Sequence, residues 1–264
     1  MDLQLEGKKA LVSGSSQGIG FAAAKVFVRE GAAVVVNART QERVDRAVSK
    51  IKASFPGGDI SGVAADLGST GGIHELFGKV AQVDILVNNL GIFEPKEFVE
   101  IPDEEWYKFY DINIMSAVRL CRFYYPKMME KKWGRIVFLS SESAVNIPPE
   151  MIHYGMTKTA MLALSRGLAE ASKGTEVTVN SVLPGPTATE GALNFLKTLA
   201  EEKGISYDEM VKEFFRTGRP NSILNRLIDS EEVANTIAFL CSPLAQATNG
   251  AAVRVDGGLI RAPM

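Results

Sequence analysis

Tyr154 and Lys158 stand four residues apart in Tyr154-Gly-Met-Thr-Lys158. That spacing sets two side chains on one face of a helix, a turn apart. An unperturbed phenol titrates near about 10. A neighbouring ammonium favours the phenolate and is expected to draw that value toward working pH. Such a tyrosine can pass a proton to or from a reacting oxygen. The same pattern also describes a surface tyrosine beside a solvated lysine, so the surroundings matter. Ser140 and Ser141 close a strand-like run, Gly134-Arg-Ile-Val-Phe-Leu-Ser140. A hydroxyl there would project at the C-terminal edge of a sheet, where open α/β folds bind ligands. Asn113, in Asp111-Ile-Asn-Ile, falls inside a helical stretch although asparagine is a poor helix former. Its ordinary role would be a polar residue packed between helices.

A second constellation comes early. Ser13-Gly-Ser-Ser-Gln-Gly-Ile-Gly20 follows the first apolar run and leads into Phe21-Ala-Ala-Ala. Gly14 would allow a turn closed to residues with a Cβ, Gly18 would let a pyrophosphate approach backbone N–H groups, and Gly20 would let the helix pack on the strand. The helix start then offers partial positive charge to phosphate. The second run ends Val34-Val-Val-Asn-Ala-Arg39, with Asn37 where a carboxylate would bind a ribose 2′-hydroxyl and repel a 2′-phosphate. Arg39 could fork onto such a phosphate, or be a solvated charge at a helix start.

The elements that must position these residues are legible as alternating patterns. Lys9–Ser13, Ala33–Asn37, Ser61–Ala65, Val83–Asn88, Gly134–Ser140, Val177–Val182 and Ala251–Val255 are short apolar runs, as strands buried on both faces must be. Helical patterns lie between them, at about 18–30, 41–53, 71–80, 103–130, 153–172 and 230–241. Strand–helix alternation throughout predicts a parallel sheet in a doubly wound α/β fold. No linker or repeat marks a boundary, so residues 1–264 are expected to form one domain. An insertion at about 190–228 interrupts the rhythm and is expected to act as a substrate lid.

Composition narrows the classes. The 264 residues are 46% hydrophobic and 23% charged with a net charge of −2, which excludes disorder and argues against a broad nucleic-acid-binding face. No apolar run reaches the roughly 18 residues of a bilayer span, and the polar N-terminus lacks a signal peptide's apolar core. Cys121 and Cys241 are expected to be buried free thiols, which fits a reduced cytoplasmic compartment. His74 and His153 stand in no zinc-ligand spacing, so no metal is expected.

The turn resembles the T-G-x-x-x-G-x-G of the short-chain dehydrogenase/reductase family, with Ser13 for threonine. Asn88-Asn-Leu-Gly91 is similar to its N-N-A-G, with Leu90 for alanine. The serine thirteen residues before Tyr154, Pro184-Gly-Pro-Thr-Ala-Thr-Glu190 and Val255-Asp-Gly-Gly258 follow in order, so the likeness spans almost the entire chain, nearest to 3-oxoacyl-[acyl-carrier-protein] reductase-like members. The resemblance implies a Rossmann fold and reversible hydride transfer between a nicotinamide cofactor and a carbonyl or secondary alcohol. It selects Ser141 over Ser140. Tyr154 becomes the acid/base, Lys158 its partner on the ribose, and Asn113 the holder of a relay water. It assigns the cofactor to Gly14, Ser15, Ser16, Gln17, Gly18, Ile19, Arg39, Asp66, Leu67, Asn89, Tyr154, Lys158 and Thr187. Arg39 goes with NADP(H), while the missing basic residue at Gln17 keeps NAD(H) open, so NADP(H) is favoured. A homotetramer is implied, with Leu259–Ile260 as a further subunit contact. A catalytically silent dinucleotide-binding scaffold is the competing class, but needs none of Ser141, Tyr154, Lys158 and Asn113.

The substrate side stays open. Glu142, Ser143, Asn146, Met151, Ile152 and His153 are expected at a pocket mouth, and Leu193, Phe195, Leu196, Phe214 and Phe215 on the insertion. Those apolar residues suit an acyl, steroid-like or aromatic substrate, or simply pack the insertion onto the body. Glu142 could bind a sugar or polyol hydroxyl, or stand in solvent.

Overall fold

The computed structural model describes residues 1–262. Seven parallel strands form one sheet: β1 (Lys9–Val12), β2 (Ala33–Ala38), β3 (Ile60–Ala64), β4 (Ile85–Asn88), β5 (Trp133–Leu139), β6 (Glu176–Pro184) and β7 (Ala252–Val255). Their order is β3-β2-β1-β4-β5-β6-β7. The chain runs outward from β1 through β2 and β3, then returns to the other side of β1 as β4. That reversal opens a crevice beyond the carboxyl ends of β1 and β4, the usual ligand position in such sheets.

Helices cover both faces because alternate strand residues are apolar on both. Val12, Val36, Val87 and Val137 face α1 (Gly18–Arg29), α2 (Gln41–Ser54) and α9 (Ser230–Cys241), packing with Phe27, Ile51 and Ile237. Leu11, Val35, Leu86 and Phe138 face α3 (Thr70–Lys79), α5 (Ser116–Lys131) and α6 (Ile152–Ala171), packing with Leu76, Leu120 and Met161. Burying an aliphatic side chain of this kind is worth roughly 1.5–3 kcal/mol. Cys121 and Cys241 are free and buried as expected, and burial pushes both thiols up to about 12.

Three expectations are corrected. The long helix expected over 103–130 is interrupted: α4 (Asp103–Tyr110) passes into a π turn, Asp111–Met115, before α5 begins. Strand β2 ends at Ala38, so Asn37 is not its rim residue. Leu259 and Ile260 are buried within the chain, where the Asp256 carboxylate accepts from the Gly258 and Ile260 N–H groups. They are therefore not an exposed subunit contact.

The insertion holds α7 (Glu190–Lys203), α8 (Tyr207–Glu213) and a second π turn, Phe214–Gly218. Thr189 caps α7, and Ser206 with Glu209 forms a capping box on α8. A parallel bridge, Thr187 to Ile228, ties its two ends together at the sheet edge. Ala188 N donates to Ile228 O at 2.8 Å and Ile228 N to Pro186 O at 2.9 Å.

Candidate active site

The turn after β1 is held by side chains that bind backbone. Ser13 Oγ donates to Val87 O at 3.2 Å and accepts from Asn89 N and Leu90 N at 2.9 and 3.1 Å. The hydroxyl that replaces threonine therefore joins β1 to the end of β4. Gly14 and Gly18 have φ of +60° and +59°, a region that disfavours any Cβ. Gly20 lets α1 approach the ends of β1 and β4 closely, as expected. A Cβ there would stand 2.4 Å from Asn89 Nδ2, which donates to Ser13 O and Gly14 O.

Asn37 is likewise engaged with the frame. It donates to Val63 O and Ala65 O, and its Oδ1 accepts from Gly14 N. Ala38 is the last residue of β2, and Arg39 follows it, exposed. Ser15 is buried, with its hydroxyl donating to Val12 O and accepting from Asn37 N. Leu67 is buried in the core, and exposed Asp66 accepts from Gly68 N. Ser16 is half-buried. Gln17, at the start of α1, makes no side-chain cap, leaving the first N–H groups of the helix without a side-chain partner.

A cavity of about 540 Å³ runs from this turn to the insertion. Gly14, Gln17, Gly18, Ile19 and Asn89 line one end, and Ser141, Tyr154, Lys158 and Thr187 its middle. Arg39, Ser15, Ser16, Asp66 and Leu67 lie off its wall. Ser140 and Ser141 are told apart by their bonds. Ser140 Oγ donates to Lys158 O at 2.8 Å, pinning α6 to β5. Ser141 Oγ accepts from Ser143 N at 3.1 Å, so its O–H remains to donate into the cavity.

Burial sets the charges here. Lys158 Nζ donates to Leu139 O at 2.8 Å, and desolvation draws its pKa down to about 7. Desolvation pushes Tyr154 up to about 12, against a smaller opposite pull from the Ser141 hydroxyl. The expected lowering of the phenol by an adjacent ammonium is thus reversed. The lysine donates to a strand carbonyl, and burial disfavours the charged form of both side chains.

Asn113 is buried, and its amide joins two elements. Oδ1 accepts from Ile92 N at 2.8 Å, and Nδ2 donates to Ile92 O and Thr157 Oγ1 at 3.1 and 2.9 Å. The π turn gives the helix the wider step that this reach uses. Both amide hydrogens are engaged, and the side chain ties the β4 loop to α6. Thr187 turns its hydroxyl to Gly185 O.

The family model described as enoyl-(acyl carrier protein) reductase matches residues 14–260. The chain belongs to the short-chain dehydrogenase/reductase family. Like that family, it is an NAD(P)-dependent oxidoreductase acting on CH–OH groups by hydride transfer. Uncharacterized oxidoreductase YvrD of Bacillus subtilis is 50% identical over 99% of both chains. FabG, the 3-oxoacyl-[acyl-carrier-protein] reductase of Aquifex aeolicus, is 32% identical over 98% of this chain and 100% of its own. The structure of L-sorbose reductase from Gluconobacter frateurii, complexed with NADPH and L-sorbose, is similar with a TM-score of 0.93. It is 32% identical and covers 99% of this chain and 100% of that one.

In this short-chain dehydrogenase/reductase the insertion both packs and lines. Leu196, Ala200 and Met210 form a small core, while Phe195, Leu196 and Phe214 face the cavity. Leu193 and Phe215 do not line it, nor do Asn146, Ile152 and His153. His153 is buried against Phe109, ring centroids 4.1 Å apart. Glu142 is only 3% exposed, which rules out the solvated reading, and it pairs with Arg219. Sequence reasoning missed Arg219, Phe93 and Leu199 on the wall. Arg219 sits 77 residues from its partner in a loop-like stretch, and no local pattern signals such a pairing. Among the described residues no helix is long and apolar enough to cross a membrane, and no three His, Cys, Asp or Glu side chains gather as metal ligands.

Proposed function

We propose that this chain reduces a ketone, or oxidises the matching secondary alcohol, with NADP(H) as preferred cofactor and Tyr154 as proton donor. The observation that carries the reading is the Ser141 hydroxyl turned to Tyr154, in a cavity continuous with the glycine-rich turn. The residues present fit a dinucleotide. Gly18 carries no Cβ where one would stand 3.2 Å from Thr189 Cγ2, and the adjoining helix start has no side-chain cap. Gly14, Gln17, Gly18, Ile19, Asn89, Lys158 and Thr187 line the cavity and would hold it there, while Ser15, Ser16, Asp66 and Leu67 shape the rim around the adenosine. When bound, the nicotinamide supplies the hydride. Ser141 and Tyr154 would hold the carbonyl oxygen, and Tyr154 would give its proton to the developing alkoxide. Lys158 would fix the ribose, and Asn113 would keep α6 and the β4 loop in register. The insertion, residues 190–228, would act as the substrate lid of one domain spanning residues 1–264.

NADP(H) is supported by the end of β2, where Ala38 and Arg39 present no carboxylate. Arg39→Ala is expected to raise KM for NADPH by about tenfold or more, the worth of a hydrogen bond to a charged group, with little change for NADH. Steady-state titration of both cofactors checks this; equal changes would exclude the 2′-phosphate contact. A homotetramer is supported by the exposed apolar surface of Tyr107, Tyr110 and Met156 on α4 and α6. Sedimentation equilibrium at four chain masses is the expected result, and a monomer mass would overturn it.

A further inference from the structure

A buried ion pair stands beside the proton donor. Arg219 Nε donates to Glu142 Oε1 at 3.0 Å, and Ser143 Oγ donates to the same oxygen at 3.2 Å. Glu142 Oε2 is buried without a partner. Both residues line the substrate end of the cavity, near Ser141 and Tyr154. Their charges act on the Tyr154 hydroxyl in opposite directions.

Arg219 is built into this position. It follows the second π turn, and its N–H donates to Phe214 O at 3.0 Å. Its Nη1 donates to Gly218 O at 2.8 Å, and its guanidinium lies over the Phe214 ring, 5.7 Å from the centroid. Nη2 makes no hydrogen bond among the described residues and is not buried. The pair therefore leaves a donor, Nη2, and a buried acceptor, Oε2, both unmet within a wall otherwise rich in Phe93, Phe195, Leu196 and Phe214.

An unpartnered buried carboxylate oxygen is costly, and an ion pair in an apolar wall is weak evidence for stability. The arrangement suits a ligand group that donates and accepts at once. A hydroxyl does both. A carboxylate would accept from Arg219 but meet the Glu142 charge, and a plain alkyl ketone would leave both groups unmet. Glu142 and Arg219 line the same cavity as Ser141 and Tyr154, so a hydroxyl on the pair would belong to the same ligand as the reacting carbonyl.

We propose that Glu142 and Arg219 form a hydroxyl-recognition pair that selects neutral α-hydroxy ketones for reduction, and the matching vicinal diols for oxidation. This rests on Ser141 and Tyr154 holding the carbonyl oxygen as described above. In the reduction one hydride from NADPH and one proton from Tyr154 convert the carbonyl to an alcohol and leave NADP⁺, while the neighbouring hydroxyl is unchanged. The pair sets specificity by rewarding a hydrogen-bonding match and penalising the substrate that lacks it.

The test uses three matched probes: acetophenone, α-hydroxyacetophenone and benzoylformate. Their common ring occupies the apolar wall. The whole protein with NADPH is expected to favour α-hydroxyacetophenone over acetophenone by about tenfold to a hundredfold in kcat/KM, the worth of a hydrogen bond to a charged group. Glu142→Gln and Arg219→Met, which remove the pair from opposite sides, are expected to collapse that ratio toward one. NADPH fluorescence titration reports whether each variant retains its frame. A ratio that survives in both variants would overturn the proposal, making the pair a clasp for the insertion. A wild-type preference for benzoylformate or acetophenone would overturn it while leaving ketone reduction standing. NADPH binding with no turnover of any probe or of a broad ketone panel would overturn ketone reduction itself, and this proposal with it.

Discussion

Tyr154→Phe is expected to lower kcat for ketone reduction by roughly a hundredfold to ten-thousandfold, the usual worth of a positioned general acid, while NADPH affinity stays nearly unchanged. The substitution removes one hydroxyl and keeps the ring, which meets Phe93 edge-on with centroids 6.2 Å apart. Burial also shapes the pH dependence of each direction. A phenol held near about 12 is fully protonated at neutral pH, ready to donate to a carbonyl. Alcohol oxidation needs the phenolate, so its rate is expected to rise with pH across the alkaline range. Stopped-flow absorbance of NADPH separates the chemical step from binding, and a variant that keeps more than about a tenth of the wild-type rate would remove Tyr154 from the proton path.

Lys158 leads to the second large effect, on the stability of the cofactor-free protein. An unfolded chain titrates this amine at its ordinary 10.5, and the folded chain at about 7. Between those values the unfolded state carries a proton that the folded state lacks, so stability rises with pH. Going down, this contribution is lost from 10.5 and is gone below about 7. Each pH unit of that window is worth about 1.4 kcal/mol, so the full effect reaches several kcal/mol. Tyr154 acts oppositely at higher pH. Unfolded it loses its proton at 10 and folded at about 12, so its contribution falls as pH rises through that window. Thermal midpoints of wild type and Lys158→Met, measured from neutral to alkaline pH, are expected to differ in slope. Wild type should climb by several degrees relative to the variant. Parallel curves would mean that the amine is hydrated in the folded state.

Much of the architecture was legible because it rests on local patterns. Runs such as Val34-Val-Val are apolar on consecutive residues only when both sheet faces are covered, and the helices between them follow. Gly14 was legible from the turn it must make, and Tyr154 with Lys158 from helical spacing, whereas the positive φ of Gly18 was not foreseen. What escaped was set by long-range contact. Asn37 read as the polar residue at the cofactor-facing end of its strand, yet its amide binds carbonyls at the end of β3 and accepts from Gly14 N. The π turn at Asp111–Met115 leaves no mark in hydrophobic periodicity, since it adds one residue to one step. The pKa of Tyr154 turned on desolvation, which depends on everything packed around it, rather than on the one cation visible at four-residue spacing.

The Thr187–Ile228 bridge has a consequence for how this protein can change. The hydride-transfer frame ends where the bridge begins, and the two chain ends entering the insertion are already neighbours there. Loop closure therefore costs little more as the segment grows, about 0.6 kcal/mol for each doubling of length. Residues between the anchors can be lengthened, shortened or exchanged as a cassette while Ser141, Tyr154 and Lys158 keep their places. Descendants of one such frame can diverge in what they accept without relearning how to reduce it, and a protein engineer can graft at the same two points.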